Sequence, residues 1–214
     1  MIVLSGVREN SRGAPMATTR RTGVADKLRT FDVSIASDAE VAALAVNIYD
    51  AALAEVSSLL QSPITAPLGQ LLQKSATLAD ALAGYIASRL CHSGDADTFR
   101  ELFSARLSTR EATRALVADV AKAWKADPAV SSMIQPIFFF KGFLALTAHR
   151  VAHTLWLDAS DASVLTAMLL QSRVSEAFGV DIHPGAAIGH GVMLDHASAV
   201  VIGGTAVVGD DVRC

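Results

Sequence analysis

A six-residue repeat of aliphatic residues near the C-terminus constrains the fold of this chain more than any other feature. Ile182, Ile188 and Leu194 lie six residues apart, and Ile202 and Val208 resume the spacing after a shift of two residues. A period of six fits neither a helix nor a simple alternating strand, but is typical of a parallel β-helix built from stacked triangular coils. We expect the aliphatic side chains to point inward and the shift to fall at a corner between Leu194 and Ile202. The alternative is an ordinary β-hairpin segment rich in Val, Ile and Gly.

The residues before this repeat have the apolar spacing of helices. Ser37 or Asp38 can cap the first helix, and Glu40 stands where an acid in the first turn would complete a capping box. The pair Asp127-Pro128 should end a later helix, because the residue before a proline is pushed out of the helical backbone region. The sequence therefore predicts an α+β chain, with an all-α helical domain over residues 37–178 and the first coils of a β-helix over residues 179–214.

Composition limits the class of protein. Hydrophobic residues make up 51% of the chain and charged residues 18%, which allows a packed core and argues against general disorder. The net charge of −3 lacks the basic excess of a nucleic-acid-binding protein. Cys91 and Cys214 form no framework of spacings, so a reducing compartment is expected. The best candidate for a membrane span, Ile134–Leu157, includes Lys141 and Arg150, so we predict a buried or half-buried helix there and no membrane partner.

The N-terminal residues 1–36 are predicted to form an irregular extension. They contain four helix-breaking residues, Gly6, Gly13, Pro15 and Gly23. Arginine and lysine outnumber acids in this segment, which is compatible with an organelle transit peptide. A disordered extension and a true start at Met16 are the alternatives. The predicted compartment is the cytoplasm, with organelle targeting left open by the basic segment.

Three ionisable residues at the start of the predicted coils could support catalysis. Asp195 and His196 fall where the repeat shifts, which places them at a coil edge rather than in the coil interior. A histidine there can accept a proton near neutral pH, and a carboxylate on its other ring nitrogen would orient it. Asp181 is a candidate for that carboxylate, since it lies fourteen residues before Asp195, close to one coil back. The alternative is that His196 is only a surface residue.

Other histidines do not form a convincing metal site. His183, His190 and His196 lie in one region, but no tight ligand pair is visible and neither cysteine is near in sequence. His149 and His153 share one face of a predicted helix, but no Glu follows His149 and no third ligand is evident. We therefore predict no metal, and a packing role for the helical pair.

Several motifs resemble those of the serine acetyltransferase family of hexapeptide-repeat acyltransferases. In the coil region they are Val180-Asp181-Ile182-His183-Pro184-Gly185, Ile188-Gly189, Leu194-Asp195-His196-Ala197-Ser198 and the run from Val201 to Gly209. In the helical region they include Asp127-Pro128-Ala129, Phe139-Phe140-Lys141-Gly142-Phe143, Ala148-His149-Arg150-Val151-Ala152-His153 and Leu170-Gln171-Ser172-Arg173. The match covers roughly residues 40–212. Other hexapeptide-repeat transferases share the coils but not the helical Lys-Gly-Phe and Asp-Pro segments.

The resemblance implies that the β-helix is left-handed and that the protein transfers acetyl from acetyl-CoA to the hydroxyl of L-serine. The product would be O-acetylserine for cysteine biosynthesis, with acetyl-CoA as co-substrate and no further cofactor. By position, His196 matches the family's general base and Asp181 matches the carboxylate that partners it. Asp127 and Asp195 match carboxylates that hold the amino acid substrate. The physical logic agrees, because a serine hydroxyl attacks a thioester poorly until its proton is removed.

The resemblance also implies an assembly. The family forms trimers that pair into hexamers through their helical domains, so a homotrimer or hexamer is expected. Because the chain stops at Cys214 where the family continues, we expect a C-terminally truncated member that lacks most of the CoA groove. The same resemblance predicts no docking on O-acetylserine sulfhydrylase, since the C-terminal tail by which the family docks on that enzyme is absent.

Three departures from the family pattern leave other functions open. Gly204 stands where the family usually has Glu, Ala199 stands where it usually has Gly, and Arg213-Cys214 does not resemble the family's continuation. Ala199 loses the tolerance of glycine for positive φ at a corner. The alternatives are a non-catalytic oligomerisation fragment, and a hexapeptide-repeat acyltransferase with another small acceptor; Asp127 argues against the latter.

Overall fold

The computed structural model describes residues 23–92 and 94–214. The helices are α1 Gly23–Thr30, α2 Asp38–Ala54, α3 Val56–Leu60, α4 Ala66–Lys74, α5 Leu78–Leu90, α6 Ala96–Leu107, α7 Arg110–Ala126, a π-helical turn Gln135–Phe139, α8 Lys141–Asp158 and α9 Asp161–Phe178. The strands are β1 Val180–Ile182, β2 Ala187–Ile188, β3 Val200–Ile202 and β4 Val207–Val208. The described chain is therefore mostly helical and finishes in a few short strands.

Local sequence signals set several helix ends. The Ser37 hydroxyl accepts a hydrogen bond from the Glu40 N–H, and the Glu40 carboxylate accepts one from the Ser37 N–H at 2.8 Å. This reciprocal pair is the predicted capping box, and it satisfies two N–H groups at the start of α2. Helix α7 ends at Ala126, directly before Asp127-Pro128, as the proline predicts. Gly179 closes α9 in the left-handed backbone region, at a φ of 68°.

The prediction of an irregular extension over residues 1–36 is wrong for its last part. Residues 23–30 form α1, and Gly23 is the first residue of this helix, where it interrupts nothing. Leu28 is fully buried and α1 packs against α7, so tertiary burial stabilises a helix too short to form alone. The glycines at positions 6 and 13, the proline at 15, the alternative start at 16 and most of the basic residues lie outside the described residues.

One stretch of the described chain, Asp38–Leu60, is long and apolar enough to cross a membrane by length and composition alone. Buried helices of soluble proteins meet the same criterion, so this is weak evidence. The stretch is divided between α2 and α3 at Glu55, and Val41, Leu44 and Ile48 on α2 are buried in the helical core.

The core of the helices continues into the strands. Phe103 on α6 and Phe138 of the π-helical turn are almost completely buried, and Val180, Ile182 and Ala186 of the first coil belong to the same apolar cluster. Burial of aromatic and aliphatic side chains at roughly 25 cal/mol per Å² is the main favourable contribution to such a fold. The helices and the first coil therefore share one core.

The strands pair in parallel with a constant offset. Residues 180–182 pair with 200–202, residues 187–188 pair with 207–208, and an isolated bridge joins Met193 to Arg213, each time 20 residues further along the chain. Parallel pairing excludes a β-hairpin, whose strands are antiparallel. Ile182 and Leu194 are buried, in agreement with the predicted inward aliphatic positions.

The offset of 20 residues explains the shift in the sequence repeat. Three repeats of six residues would give 18, so the turn between the paired strands contains two extra residues. Since the spacing is regular from Ile182 to Leu194, the extra residues lie in the segment 195–199, before β3. The predicted corner between Leu194 and Ile202 is confirmed.

Candidate active site

The corner formed by residues 195–199, which we call the 195–199 corner, has an unusual backbone. His196, Ala197 and Ala199 have φ values of 52°, 42° and 55°, in the left-handed region that non-glycine residues seldom adopt. The Asp195 carbonyl accepts a hydrogen bond from the Ala197 N–H at 2.6 Å, which closes a tight turn around His196. Strained backbone of this kind is often found at functional sites. The corner therefore projects His196 away from the coils.

The start of α8 supports this corner. Gly142 is packed so closely that a Cβ atom on it would lie 2.1 Å from the Leu194 carbonyl oxygen and 3.0 Å from the Ala197 Cβ. Lys141 Nζ donates to Ser198 Oγ at 3.0 Å. The Lys-Gly pair thus holds both ends of the segment that contains Asp195 and His196. The sequence motif indicated a family resemblance, but it did not reveal this contact.

Asp127 and Asp195 are 68 positions apart in the printed sequence, but Arg213 connects Asp195 to the backbone beside Asp127. Arg213 donates through Nη2 to Asp195 Oδ2 at 2.6 Å and through Nη1 to the Ala126 carbonyl at 3.0 Å. A single guanidinium therefore connects Asp195 to the residue next to Asp127. Asp127 itself directly follows α7, and its Oδ1 accepts a hydrogen bond from the Ala129 N–H at 2.8 Å.

The hydrogen bond from Arg213 holds the pKa of Asp195 below its usual value, and the charge of Arg213 acts in the same direction. Asp195 is consequently ionised at neutral pH and can pair with a cationic group. Its side chain is 23% exposed, so a ligand can reach it from solvent.

His196 is the most accessible of the predicted catalytic residues. Its side chain is 93% exposed, and its Nε2 lies 3.8 Å from Asp195 Oδ1. Asp181 is half-buried on β1, and its Oδ1 accepts a hydrogen bond from Gln171 Nε2 at 2.6 Å. Within the described residues no hydrogen bond or ion pair joins Asp181 to His196. The structure therefore groups His196 with Asp195, and the pairing of His196 with Asp181 stays a prediction.

A buried ion pair, missed from the sequence, fixes the coils against the helices. Asp119 on α7 is fully buried and accepts hydrogen bonds from Arg150 on α8, with an Nη2 to Oδ2 distance of 2.8 Å. Asp119 Oδ1 also accepts from the Val192 N–H at 2.9 Å. Helical spacing could not reveal this contact, because it joins side chains on separate helices.

Three other histidines, His153, His183 and His190, have structural partners. His153 Nδ1 lies 2.7 Å from the Pro184 carbonyl, His183 Nδ1 accepts from the Gly185 N–H at 3.0 Å, and His190 Nε2 lies 2.7 Å from Glu111 Oε1. No group of three or more potential metal ligands occurs in residues 23–92 and 94–214. His183 also contacts the backbone at Gly204, where a Cβ would lie 2.6 Å from His183 Nδ1. Gly204, which stands where the family usually has Glu, therefore leaves space for the His183 ring.

Two cavities of about 450 and 320 Å³ lie elsewhere. The larger is lined by the segment 30–34, α7 and residues of the coils, and the smaller by α6, α7, α8 and the coil at Ile188. Neither is lined by Asp127, Asp195 or His196. The candidate site is thus an open surface at the 195–199 corner.

The chain is similar to known proteins. The family model for the N-terminal part of serine acetyltransferase matches residues 48–148. Probable serine acetyltransferase 4 of Oryza sativa subsp. japonica is 52% identical over 139 residues, which cover 64% of this chain and 43% of the rice protein. The chain thus spans less than half the length of the curated relatives it matches.

Solved structures give the same result. A soybean serine acetyltransferase complexed with serine superimposes with a TM-score of 0.74 at 34% identity, covering 79% of this chain and 70% of the soybean chain. A serine acetyltransferase in complex with CoA gives a TM-score of 0.72 at 32% identity, covering 79% of this chain and 73% of the other. With two thirds or more of such a relative matched at this identity, the chain belongs to the serine acetyltransferase family.

Proposed function

We propose that this protein is a serine O-acetyltransferase, which transfers acetyl from acetyl-CoA to L-serine and so makes O-acetylserine for cysteine biosynthesis. The observation that carries the proposal is that His196 Nε2 lies 3.8 Å from Asp195 Oδ1 at an accessible corner, while Arg213 links Asp195 to the Ala126 carbonyl, next to Asp127. An amino acid with a charged ammonium group and a hydroxyl requires such a set, with carboxylates for the ammonium and a base for the hydroxyl. The solved relatives that bind serine and CoA support these two substrates.

The proposed reaction follows from the chemistry of these groups. The serine hydroxyl oxygen attacks the thioester carbonyl while the His196 imidazole takes the hydroxyl proton. The carbon–sulfur bond then breaks, and the imidazolium returns the proton to the sulfur of CoA. Asp127 and Asp195 hold the ammonium so that the hydroxyl faces His196, and Asp181 is proposed as the carboxylate that orients the imidazole.

We further propose that residues 179–214 are the start of a left-handed parallel β-helix. The constant offset of 20 residues between paired strands supports stacked three-sided coils. Val201 and Val207 on the outer faces of the second coil are 75% and 82% exposed. Exposed aliphatic residues on adjacent faces support a homotrimer in which neighbouring coils cover them, with hexamers as the higher assembly.

A steady-state assay of the loss of the acetyl-CoA thioester, with L-serine as acceptor, tests this function. Following the thioester avoids thiol reagents, which would also react with the exposed Cys214. His196→Ala should lower kcat by about 10²- to 10⁴-fold, the usual contribution of a general base. Asp127→Asn and Asp195→Asn should raise KM for serine by about tenfold or more, since hydrogen bonds to charged groups are lost.

His92→Ala is the matched control, because His92 is an exposed histidine that pairs with Glu176 on the helices, far in sequence from the 195–199 corner. It should retain full turnover. Unchanged turnover in His196→Ala would refute the proposed base, and equal rates with serine and with unrelated hydroxyl acceptors would refute the substrate.

A second candidate function is that of a non-catalytic oligomerisation subunit. One face of α9 carries three exposed apolar side chains, Leu165, Met168 and Leu169, which are 68%, 48% and 46% exposed. Such a face suits a contact with another helix. Size-exclusion chromatography of the chain alone and mixed with a full-length relative tests this function. A stable mixed species without acetyl transfer would favour it, and no association would exclude it.

A further inference from the structure

Arg213 forms an ion pair with Asp195, one of the two carboxylates that we propose bind the substrate ammonium. Its Nη2 lies 2.6 Å from Asp195 Oδ2, and its Nη1 lies 3.0 Å from the Ala126 carbonyl beside Asp127. A guanidinium and an ammonium are both cations that donate N–H hydrogen bonds to carboxylates. Arg213 therefore makes, from within the chain, the interaction that the amino group of a substrate would make.

The ion pair between Arg213 and Asp195 is accessible to solvent, so another cation can replace Arg213. The Arg213 side chain is 48% exposed and that of Asp195 is 23% exposed, so solvent and small ligands reach both partners. Ion pairs at such exposure are weak, because solvation competes with them. A ligand ammonium that approaches Asp195 can consequently displace Nη2, whereas a fully buried guanidinium would stay in place.

The other charged group near Asp195 does not change this conclusion. His196 Nε2 lies 3.8 Å from Asp195 Oδ1, which is not the oxygen that Arg213 contacts, and the His196 ring is almost fully exposed. Arg213 is the cation that hydrogen-bonds to the Asp195 carboxylate in the described part of the chain. It is therefore the residue that decides how much of the Asp195 charge a ligand encounters.

We propose that Arg213 is an internal competitor for the amino-group subsite, and so a specificity-determining residue for the amino acid. This inference rests on the proposed function, because it assumes that Asp195 receives the substrate ammonium. It extends that function by assigning a role to a residue that the family pattern does not include. Arg213 would weaken binding of every ligand whose contact with Asp195 is a cation, and leave other ligands unaffected.

The test is calorimetric titration of the whole chain with two ligands. L-serine carries the ammonium, whereas 3-hydroxypropionate keeps the hydroxyl and the carboxylate but lacks the ammonium. The variant Arg213→Gln keeps a hydrogen-bonding side chain and removes the charge, and Arg213→Lys keeps the charge. Arg100→Gln is the matched control, since it makes the same change in net charge at an exposed ion pair with Asp80 on the helices.

In Arg213→Gln we expect L-serine to bind about two- to fivefold more tightly, the range that corresponds to a weak exposed ion pair. Binding of 3-hydroxypropionate should not tighten, and Arg213→Lys and Arg100→Gln should bind L-serine like the original chain. Weaker or unchanged serine binding in a folded Arg213→Gln variant would overturn the inference. Equal tightening for both ligands would overturn it as well, because it would indicate a general change of potential.

Asp195→Asn separates this inference from the proposed function. If Asp195→Asn leaves serine affinity unchanged, or if neither the original chain nor Arg213→Gln binds serine, the ammonium subsite itself is wrong. If Asp195→Asn weakens serine binding but Arg213→Gln does not strengthen it, the subsite stands and only the role of Arg213 is refuted. When Arg213→Gln is added to Asp195→Asn, the affinity for serine should not change further, because the Asp195 carboxylate for which Arg213 competes is already absent.

Discussion

Arg150 on α8 binds Asp119 on α7 through two nitrogens, with Nη2 2.8 Å and Nε 3.0 Å from Asp119 Oδ2. The same guanidinium donates to the carbonyls of Ile188 and Gly189, at 3.3 and 2.7 Å. Because Asp119 is completely enclosed, its charge depends on Arg150 and on the Val192 N–H for compensation. This pair therefore joins two helices to the first coil, which leads to the 195–199 corner.

We predict that Arg150→Met lowers the free energy of unfolding by about 3–5 kcal/mol, since it leaves a buried carboxylate without its partner. Urea denaturation followed by circular dichroism would measure the change. Arg100→Met is the control, because the Arg100–Asp80 pair is partly exposed and should contribute less than about 1 kcal/mol. Similar losses in the two variants would contradict the assigned importance of burial.

Sequence reasoning succeeded where the signal is local. The Ser37–Glu40 capping box is recognisable because its two residues are three apart, and the end of α7 because proline acts on its neighbour. The shift in the six-residue repeat located the 195–199 corner for the same reason, since the repeat is a count along one chain. Such features need no knowledge of which element packs against which.

Contacts between distant segments were not predictable in this way. The Asp119–Arg150 pair, the approach of Gly142 to Leu194 and the bond from Arg213 to Asp195 all join different elements. Periodicity identifies which face of a helix is apolar, but it does not say which polar side chain of another element it meets. Helix α1 was missed because tertiary burial, rather than local preference, stabilises it.

His149 gives the stability of the fold a dependence on pH. The ring is buried, and its Nδ1 has no hydrogen-bond partner in the described residues. Burial, with the nearby His153 and Arg150 adding to it, lowers the pKa of His149 to about 3. The folded state therefore keeps this ring neutral at pH values where His149 of the unfolded chain, with a pKa of about 6.5, takes up a proton.

Since the folded pKa lies below the unfolded one, the contribution of His149 is complete above about pH 6.5 and is lost progressively as the pH falls towards about 3. At pH 5 we expect a loss of about 2 kcal/mol in the free energy of unfolding relative to pH 7.5. Urea denaturation at both pH values should show a smaller difference for His149→Gln, while the exposed His92→Gln keeps the original difference. Identical pH dependence in all three proteins would disprove this origin.

Gly142→Ala should damage the candidate site more than the fold. The new Cβ would lie 2.1 Å from the Leu194 carbonyl oxygen, so the backbone that leads into Asp195 and His196 must move. Overpacking of this kind costs about 1–3 kcal/mol, and a misplacement of about 1 Å can lower turnover by about 10²-fold. Gly203→Ala is the control, because nothing lies within 4 Å of the Cβ it would add. Equal acetyl transfer by the two variants would rule out a positioning role for Gly142.

Ala199→Gly should stabilise the protein, because Ala199 adopts a φ of 55° at the 195–199 corner. Left-handed backbone costs an L-residue about 1–2 kcal/mol, and glycine avoids this cost but adds about 0.4–1 kcal/mol of entropy to the unfolded chain. The net gain should therefore be about 0.5–1 kcal/mol, visible as a higher Tm in differential scanning calorimetry. Ala187→Gly on β2 is the matched control and should lose about 0.5–1 kcal/mol, since a strand residue gains nothing from glycine. A loss of stability in both variants would mean that the corner relieves its strain elsewhere.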